Sequence, residues 1–535
     1  MVVADLVGCP EGVFRAFTKF DKSLHNSGLV VRMEKCGVLW PSLSVPPPES
    51  VRTPASQLGL TLHCGVMQTL GVLVGSGDSQ VDEWLTSQVA SHQPFLDALV
   101  HPELPAQVAL LLLRLSAVPL LGYLTRTIRP SLLAPHARRF DVMVMDTAQR
   151  KFALPSLPLD AALALSRPIK AGGFGLTQAA AVSVPAYFCA LSAASSAIAH
   201  LIPGDVIDQV LFDAKAQVPF AREAEVCLTT LIDAGVTHGP GGLIPSTFAD
   251  LWLPDGRWSD MSRRQHGICS QLAARDFNAW FASASLKAKQ RVQSASAPNA
   301  GLWLTTFPST PELTLADEFF VLAVKHRLGL RPIEDLPAHC ACGAKLSVDP
   351  QHFYSCGQLK RKAMTVRHDS VVRLLRDSFH QVGAVVHVEP RLYDTTRVRP
   401  DLDVLLPNLN LMLDVAVTHP GAPSRKSDRR LAAANDLQAT KNRRYKDWAL
   451  ARGGMFLPFV CETHGARGHQ ADEVVKLLAK AASNTTLTTS VRDFMKHFRQ
   501  ALSVTLQRGN GLVAKMGAIN ARATLATAER ASRLR

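Results

Sequence analysis

The chain has 535 residues, of which 47% are hydrophobic, enough for several buried cores and too apolar for a mainly disordered protein. Lys and Arg outnumber Asp and Glu by 58 to 44, a net charge of +14 that favours a polyanionic partner such as nucleic acid without saying which polyanion. Ten cysteines at 9, 36, 64, 189, 227, 269, 340, 342, 356 and 461 are scattered apart from one trio, which argues for a reduced intracellular protein and against a disulfide framework.

The opening MVVADLVGCPEGVF lacks the pattern of a secretory signal. Residues 11 to 42 read as a helix carrying Phe14, Phe17 and Phe20, then a strand-like GLVVRMEKCGVLW. A Pro-rich break at 44 to 54 precedes a second strand-like stretch, LTLHCGVMQTLGVLVGS. Two helical stretches follow, 81 to 99 and 104 to 128. Within the second, the apolar run 108 to 121 is too short, and too broken by Arg114 and Pro119, to span a bilayer, so a core helix and a soluble protein are expected. From Ala134 to about Leu330 the Ala- and Leu-rich sequence predicts helices interrupted at 167 to 178 and 237 to 245, with a linker at Ser294 to Ala300. GGFG at 172 to 175 lacks the strand and acidic partner of a dinucleotide loop and reads as a turn.

A new module begins at Cys340. Thr365 to Gln381 fits a helix with Val366, Val371, Leu374, Leu375 and Phe379 inward. Three strands are expected at 384 to 388, 401 to 406 and 410 to 417, then a helix from Leu431 to Ala449 and a fourth strand at 455 to 461. The final 55 residues are helical in pattern and strongly basic, as in a phosphate-facing or solvated tail.

Cys340, Cys342, His352 and Cys356 give C-x-C-x9-H-x3-C, three thiolates and an imidazole, the donors that Zn²⁺ takes in a closed structural site; His339 is a spare ligand. The second constellation is Arg399-Pro400-Asp401 and, twelve residues on, Asp414 inside the apolar NLMLDVAV. An aspartate in the middle of such a strand costs several kcal/mol unless it is paired or holds a cation. If the strands pair through the turn 407 to 410, both carboxylates meet at one end of the sheet, where they can hold Mg²⁺ or Mn²⁺ for phosphodiester hydrolysis. Lys441, with Tyr445 one turn later on the same helix face, is the candidate cation beside the attacking water, against the plainer reading of one more solvated lysine. Glu389 is a candidate third carboxylate or simply a strand-end surface residue. Arg367, His368 and Asp369 are assigned no catalysis, Asp369 being explained by the helix dipole. Basic residues at 425, 426, 429, 430, 443, 444 and 446 are candidates for phosphate contacts.

These motifs resemble the C-terminal part of non-LTR retrotransposon proteins that carry a restriction-like endonuclease. The matching order is RLGL (327 to 330), the Cys-Cys-His-Cys knuckle, RHD (367 to 369), VEP (388 to 390), RPD (399 to 401), LDVAVTHP (413 to 420), Lys441 with Tyr445, and FLPFVCETHG (456 to 465). The resemblance implies a PD-(D/E)XK-like α/β nuclease with its lysine moved from the strand, where Ala416 stands, to the helix. It implies Asp401 and Asp414 as metal ligands and the nicking of target DNA in the nucleus to prime reverse transcription of element RNA. Upstream, GLVVRMEKCGVL (28 to 39, with Lys35), TLGVLVGS (69 to 76), 112 to 128 and 167 to 180 resemble the end of a reverse-transcriptase palm, its primer grip, the thumb and a helical connector. Only Asp5 stands where the paired polymerase aspartates belong, so polymerase activity is not expected and the polymerase half reads as truncated.

The expected architecture is therefore multidomain: a partial palm (1–80), thumb-like helices (81–200), a helical connector (201–335), a zinc knuckle (336–360), the nuclease (361–480) and a basic helical tail (481–535), with no membrane partner. The alternative is a catalytically inactive nucleic-acid-binding remnant.

Overall fold

A computed structural model describes residues 6–154, 156–201, 219–252, 258, 260–390 and 399–533. It is mainly helical, with small sheets. Asp5 lies outside the described residues, as does 202–218 of the expected connector. The chain forms two compact units from interleaved segments. One takes Met1–Gln93, Leu121–Phe140 and Ala179–Ile268; the other takes Pro94–Leu120, Asp141–Gln178 and Cys269–Arg535.

In the first unit the helix Pro10–Asn26 buries Phe14 against Val51, Ala55 and Leu60. Less of the region is extended than its β-branched composition implies: Met33–Lys35 forms a 3-10 turn, and only Gly37–Trp40 pairs, in parallel, with Thr61–Cys64. Val66–Thr69 and Val72–Gly75 form a hairpin.

In the second unit the helix Leu286–Ala295 runs straight into a packed turn. Ser294, Ala295, Ala297 and Ala300 are all buried, so the segment expected as a linker is part of a core; its small side chains, read as linker composition, permit close packing. The helical run Ala106–Thr127 is longer than the apolar stretch that looked too short, and by length and composition alone it is able to cross a bilayer. It changes from α to π and 3-10 geometry at Leu113–Leu121, and Leu110, Leu113 and Ala117 are fully buried.

The site-bearing module follows helix α1 (Asp317–Leu328) and the Cys/His segment. Its order is α2 (Ala363–Gln381), β1 (Val385–Val388), β2 (Leu402–Leu406), β3 (Leu409–Thr418), α3 (Ala432–Leu450), β4 (Met455–Glu462), α4 (His469–Ser483) and α5 (Val491–Arg533). The four strands lie in the order β1-β2-β3-β4. β1, β2 and β3 are antiparallel neighbours; the β2–β3 turn is tighter than expected, with Leu406 paired to Leu409 and only two residues between. β3 and β4 are parallel, which requires a crossover, and α3 supplies it. Both faces of β3 are covered, so its sequence is a nearly continuous apolar run rather than an alternating one.

One sheet face carries Leu402, Val404, Leu411, Leu413, Val415 and Phe459 into a core shared with Val371, Leu375 and Phe379 of α2 and with Phe494 and Phe498 of α5. On the other face, Met412 and Phe456 meet Tyr445 and Ala449 of α3. Helix α5 is not a solvated tail: it packs on α1 and α2 and is buried at many positions from Phe494 to Ala521, with only its last turns, from Arg522 on, largely exposed. Its basic residues mask a stripe of Phe, Leu, Val, Ala and Gly that faces the core. Gly509, Gly511 and Gly517 sit where a Cβ would come within 3 Å of Arg367, Phe319 and Phe353.

Candidate active site

The β2–β3 register decides how the two key aspartates meet. Leu402 is opposite Leu413, so Asp401, one residue before, falls opposite Asp414. Because Leu413 points into the core, strand alternation turns the Asp414 carboxylate to the face covered by α3, while Asp401, one residue before β2, is reached from α2.

Asp414 is 3% exposed. Its Oδ2 is ion-paired with the Lys441 ammonium, and its carboxylate also accepts a hydrogen bond from the Tyr445 hydroxyl. One helical turn separates Lys441 from Tyr445, so α3 delivers both to the same carboxylate. Tyr445 is held by stacking on Phe456, ring centroids 5.0 Å apart. Burial, and then the Asp401 charge, push the Asp414 carboxyl above its usual range, while Lys441 and Tyr445 pull it down. Two carboxylates in repulsive contact, one of them deeply buried, form an oxygen-rich place for a cation.

Asp401 is fixed from two sides. Its Oδ2 accepts the Val415 backbone N–H at 2.6 Å and lies 3.0 Å from His368 Nε2. His368 Nδ1 in turn lies 2.9 Å from Asp369 Oδ1. Burial alone would lower the His368 pKa, but hydrogen bonds and charge from Asp401 and then Asp369 outweigh it and push it up to about 9, so the imidazolium is the neutral-pH form. His368 was passed over in the sequence, yet it stands four residues before core-facing Val372, which puts it on the inner face of α2. Its neighbour Arg367 is buried and donates to Asn510 Oδ1 at 2.9 Å, a packing role.

Glu389 is exposed and has a left-handed backbone at φ 42°; its backbone N–H donates to the Asp401 carbonyl at 2.9 Å, which sets it beside Asp401. Asp403 is a further buried carboxylate on β2. It is 1% exposed and stands two residues after Asp401, in the alternation Asp401-Leu402-Asp403-Val404. Of the basic residues, Lys426, Arg429, Arg430, Arg443, Arg444 and Lys446 are exposed, and Arg425 is ion-paired with Asp436 at 2.7 Å.

The Cys/His segment also converges. The ligand atoms of Cys340, Cys342, His352 and Cys356 all lie within 4.8 Å of one another; the spare His339 is not among them. Cys340 Sγ is 3.7 Å from Cys356 Sγ, close to the roughly 3.8 Å that two thiolates span on a tetrahedral Zn²⁺. Cys342 Sγ is 3.0 Å from His352 Nε2. Three sulfurs and a nitrogen at this spacing fit a structural zinc ion. Phe353, Leu346 and Leu359 around them pack on Val513 and Ala518 of α5.

The chain is similar to a retrotransposable-element protein. It is 28% identical over 162 residues to the retrotransposable element SLACS 132 kDa protein of Trypanosoma brucei gambiense, a match that covers 28% of this chain and 14% of that relative. No family model matches the chain.

Proposed function

We propose that this chain is a retrotransposon-derived, metal-dependent DNA endonuclease whose catalytic centre is Asp401, Asp414 and Lys441 in a restriction-endonuclease-like module. The observation that carries the proposal is the closeness of Asp401, one residue before β2, to a buried Asp414 that feels its charge and is ion-paired to Lys441. The similarity to a retrotransposable-element protein supports the setting.

Asp401 and Asp414 would hold Mg²⁺ or Mn²⁺, hard ions that take carboxylate oxygen. When bound, such an ion supplies an activated water and neutralises charge developing at the scissile phosphate. Lys441 places a cation next to the carboxylate pair, where the attacking water and the phosphate oxygens would stand. Tyr445 orients Asp414 through its hydroxyl, and His368 holds the rotamer of Asp401 from the α2 side. The exposed basic residues of the β3–α3 segment and of α3 would receive the DNA backbone. In the resembling proteins such a nick leaves a 3′ hydroxyl that primes reverse transcription of the element RNA. A nuclear role on target DNA is the corresponding reading here.

The test is nicking of supercoiled plasmid by the full chain with Mg²⁺ or Mn²⁺, beside Asp401→Ala. Nicking by the wild type alone is expected. Equal nicking by both would reject the assignment, and nicking by neither would favour a non-catalytic nucleic-acid-binding protein.

A further inference from the structure

The helix Met261–Ser283 has an aromatic C-terminal half that is incompletely covered. From Cys269 to Ser283 it buries no residue fully, although Leu272, Phe277, Trp280 and Phe281 give it an apolar side. A helix that packs into a core carries its apolar stripe under cover, so rings left half-open together on a surface form a contact patch. The three aromatic residues stand at i, i+3 and i+4, which puts them on one face. The centroids of Phe277 and Phe281 are 5.6 Å apart with their planes 26° from parallel, and Trp280 is 5.9 Å from Phe277 and 6.3 Å from Phe281. Cations lie against all three rings. The Arg167 guanidinium is 3.8 Å from the Trp280 centroid and 5.8 Å from that of Phe277, and the Lys289 ammonium is 5.5 Å from that of Phe281. The Trp280 indole N–H donates to Asp160 Oδ1 at 2.8 Å, which fixes the ring. Of the other charges on these elements, Arg275 is paired with Asp276 and Lys287 with Asp349. Between Cys269 and Arg291 there are four basic residues and one acidic one, so the patch lies in a locally positive stretch.

We propose that Phe277, Trp280 and Phe281, with Arg167 and Lys289, form a binding surface for single-stranded nucleic acid. Unpaired bases offer their flat faces to aromatic rings whatever their sequence, while Arg and Lys beside the rings take the phosphates; a duplex keeps those faces inside its own stack. Arg167 serves both needs, because a guanidinium lying on an indole extends the stacking surface and still carries donors for a phosphate oxygen. A purely apolar protein partner would cover the rings but would also have to desolvate the Arg167 and Lys289 charges without pairing them, which is unfavourable. The patch is built from other elements than the aspartate pair and the basic residues that follow β3, and the inference does not rest on the nuclease reading.

The test titrates the full chain, without added Mg²⁺ or Mn²⁺, into fluorescently labelled oligouridylate, oligothymidylate and a mixed-sequence duplex, each of about 20 nucleotides, enough to span a single-strand site of the usual size. Fluorescence anisotropy gives the affinities. The wild type is expected to bind at least one homopolymer, and the tighter of the two tells RNA from DNA. Trp280→Ala should weaken that binding by about tenfold or more, the ordinary effect of removing a stacking ring, and leave duplex affinity within about twofold. Trp280→Phe should recover most of the loss. Phe281→Ala should act in the same direction, and it keeps the test decisive if Trp280→Ala does not fold by circular dichroism. Absence of wild-type binding to both homopolymers overturns the proposal. Unchanged single-strand affinity in the alanine variants overturns it too and leaves the face to a protein partner, and an equal loss on duplex and single strand rejects a surface specific for unpaired bases.

Discussion

At the residue scale the centre depends on ionising a carboxyl that its surroundings disfavour. Asp414 must be a carboxylate to hold a cation, and burial together with the Asp401 charge raises its pKa above the usual value, so activity should fall as pH drops through that raised value. Lys441 opposes the rise. Lys441→Ala should therefore lower the nicking rate and move the acid limb of its pH profile to higher pH. A lowered rate with an unmoved limb would mean that Lys441 does not act on Asp414. His368 has the opposite sign. Its folded pKa is raised to about 9, so the stability it contributes is fully present below its ordinary value of 6.5 and is lost as pH rises through about 9. His368→Ala should cost roughly 1 to 2 kcal/mol in urea unfolding at pH 6, discounted for the partial exposure of the pair, and close to nothing at pH 10. A cost that does not change with pH would reduce His368 to a packing residue.

At the element scale, β3 and α5 show what was legible in the sequence and what was not. The β3 pattern could be read because an aspartate in an apolar run breaks a strong rule, and the order of helix, three strands, helix and strand appears as expected. The approach of Asp401 to Asp414 follows from the β2–β3 register, which sets Leu402 opposite Leu413. His368 was set aside because its contact with Asp401 depends on the face it shares, which periodicity encodes only once the core side is known. Helix α5 was misjudged because its charge was weighed without its small residues. That helix provides a direct test. An alanine in place of a helical glycine is ordinarily favourable by about 1 kcal/mol. At Gly517 the added Cβ would lie 2.5 Å from the fully buried Phe353 ring, and overpacking of this kind costs about 1 to 3 kcal/mol. Gly517→Ala should therefore lower the melting temperature; an equal or higher one would contradict the close packing of α5 on the Cys/His segment.

At the scale of the whole molecule, the charge of +14 and the exposed basic residues of the β3–α3 segment and of α3 suit the proposed nucleic-acid partner. If Arg443 and Arg444 neutralise phosphates, changing both to Ala should weaken DNA binding and flatten the plot of log Kd against log salt by about one unit for each phosphate left without its cation. An unchanged slope would place the DNA elsewhere. These expectations converge on the carboxylate pair. The decisive measurement is the initial rate at which the full chain converts supercoiled plasmid to open circle in Mn²⁺, compared with Asp414→Asn, with zinc content followed as a check on the fold. A loss of at least about a hundredfold with zinc content unchanged is predicted. Equal rates would contradict the assignment of Asp401 and Asp414 as a nuclease centre.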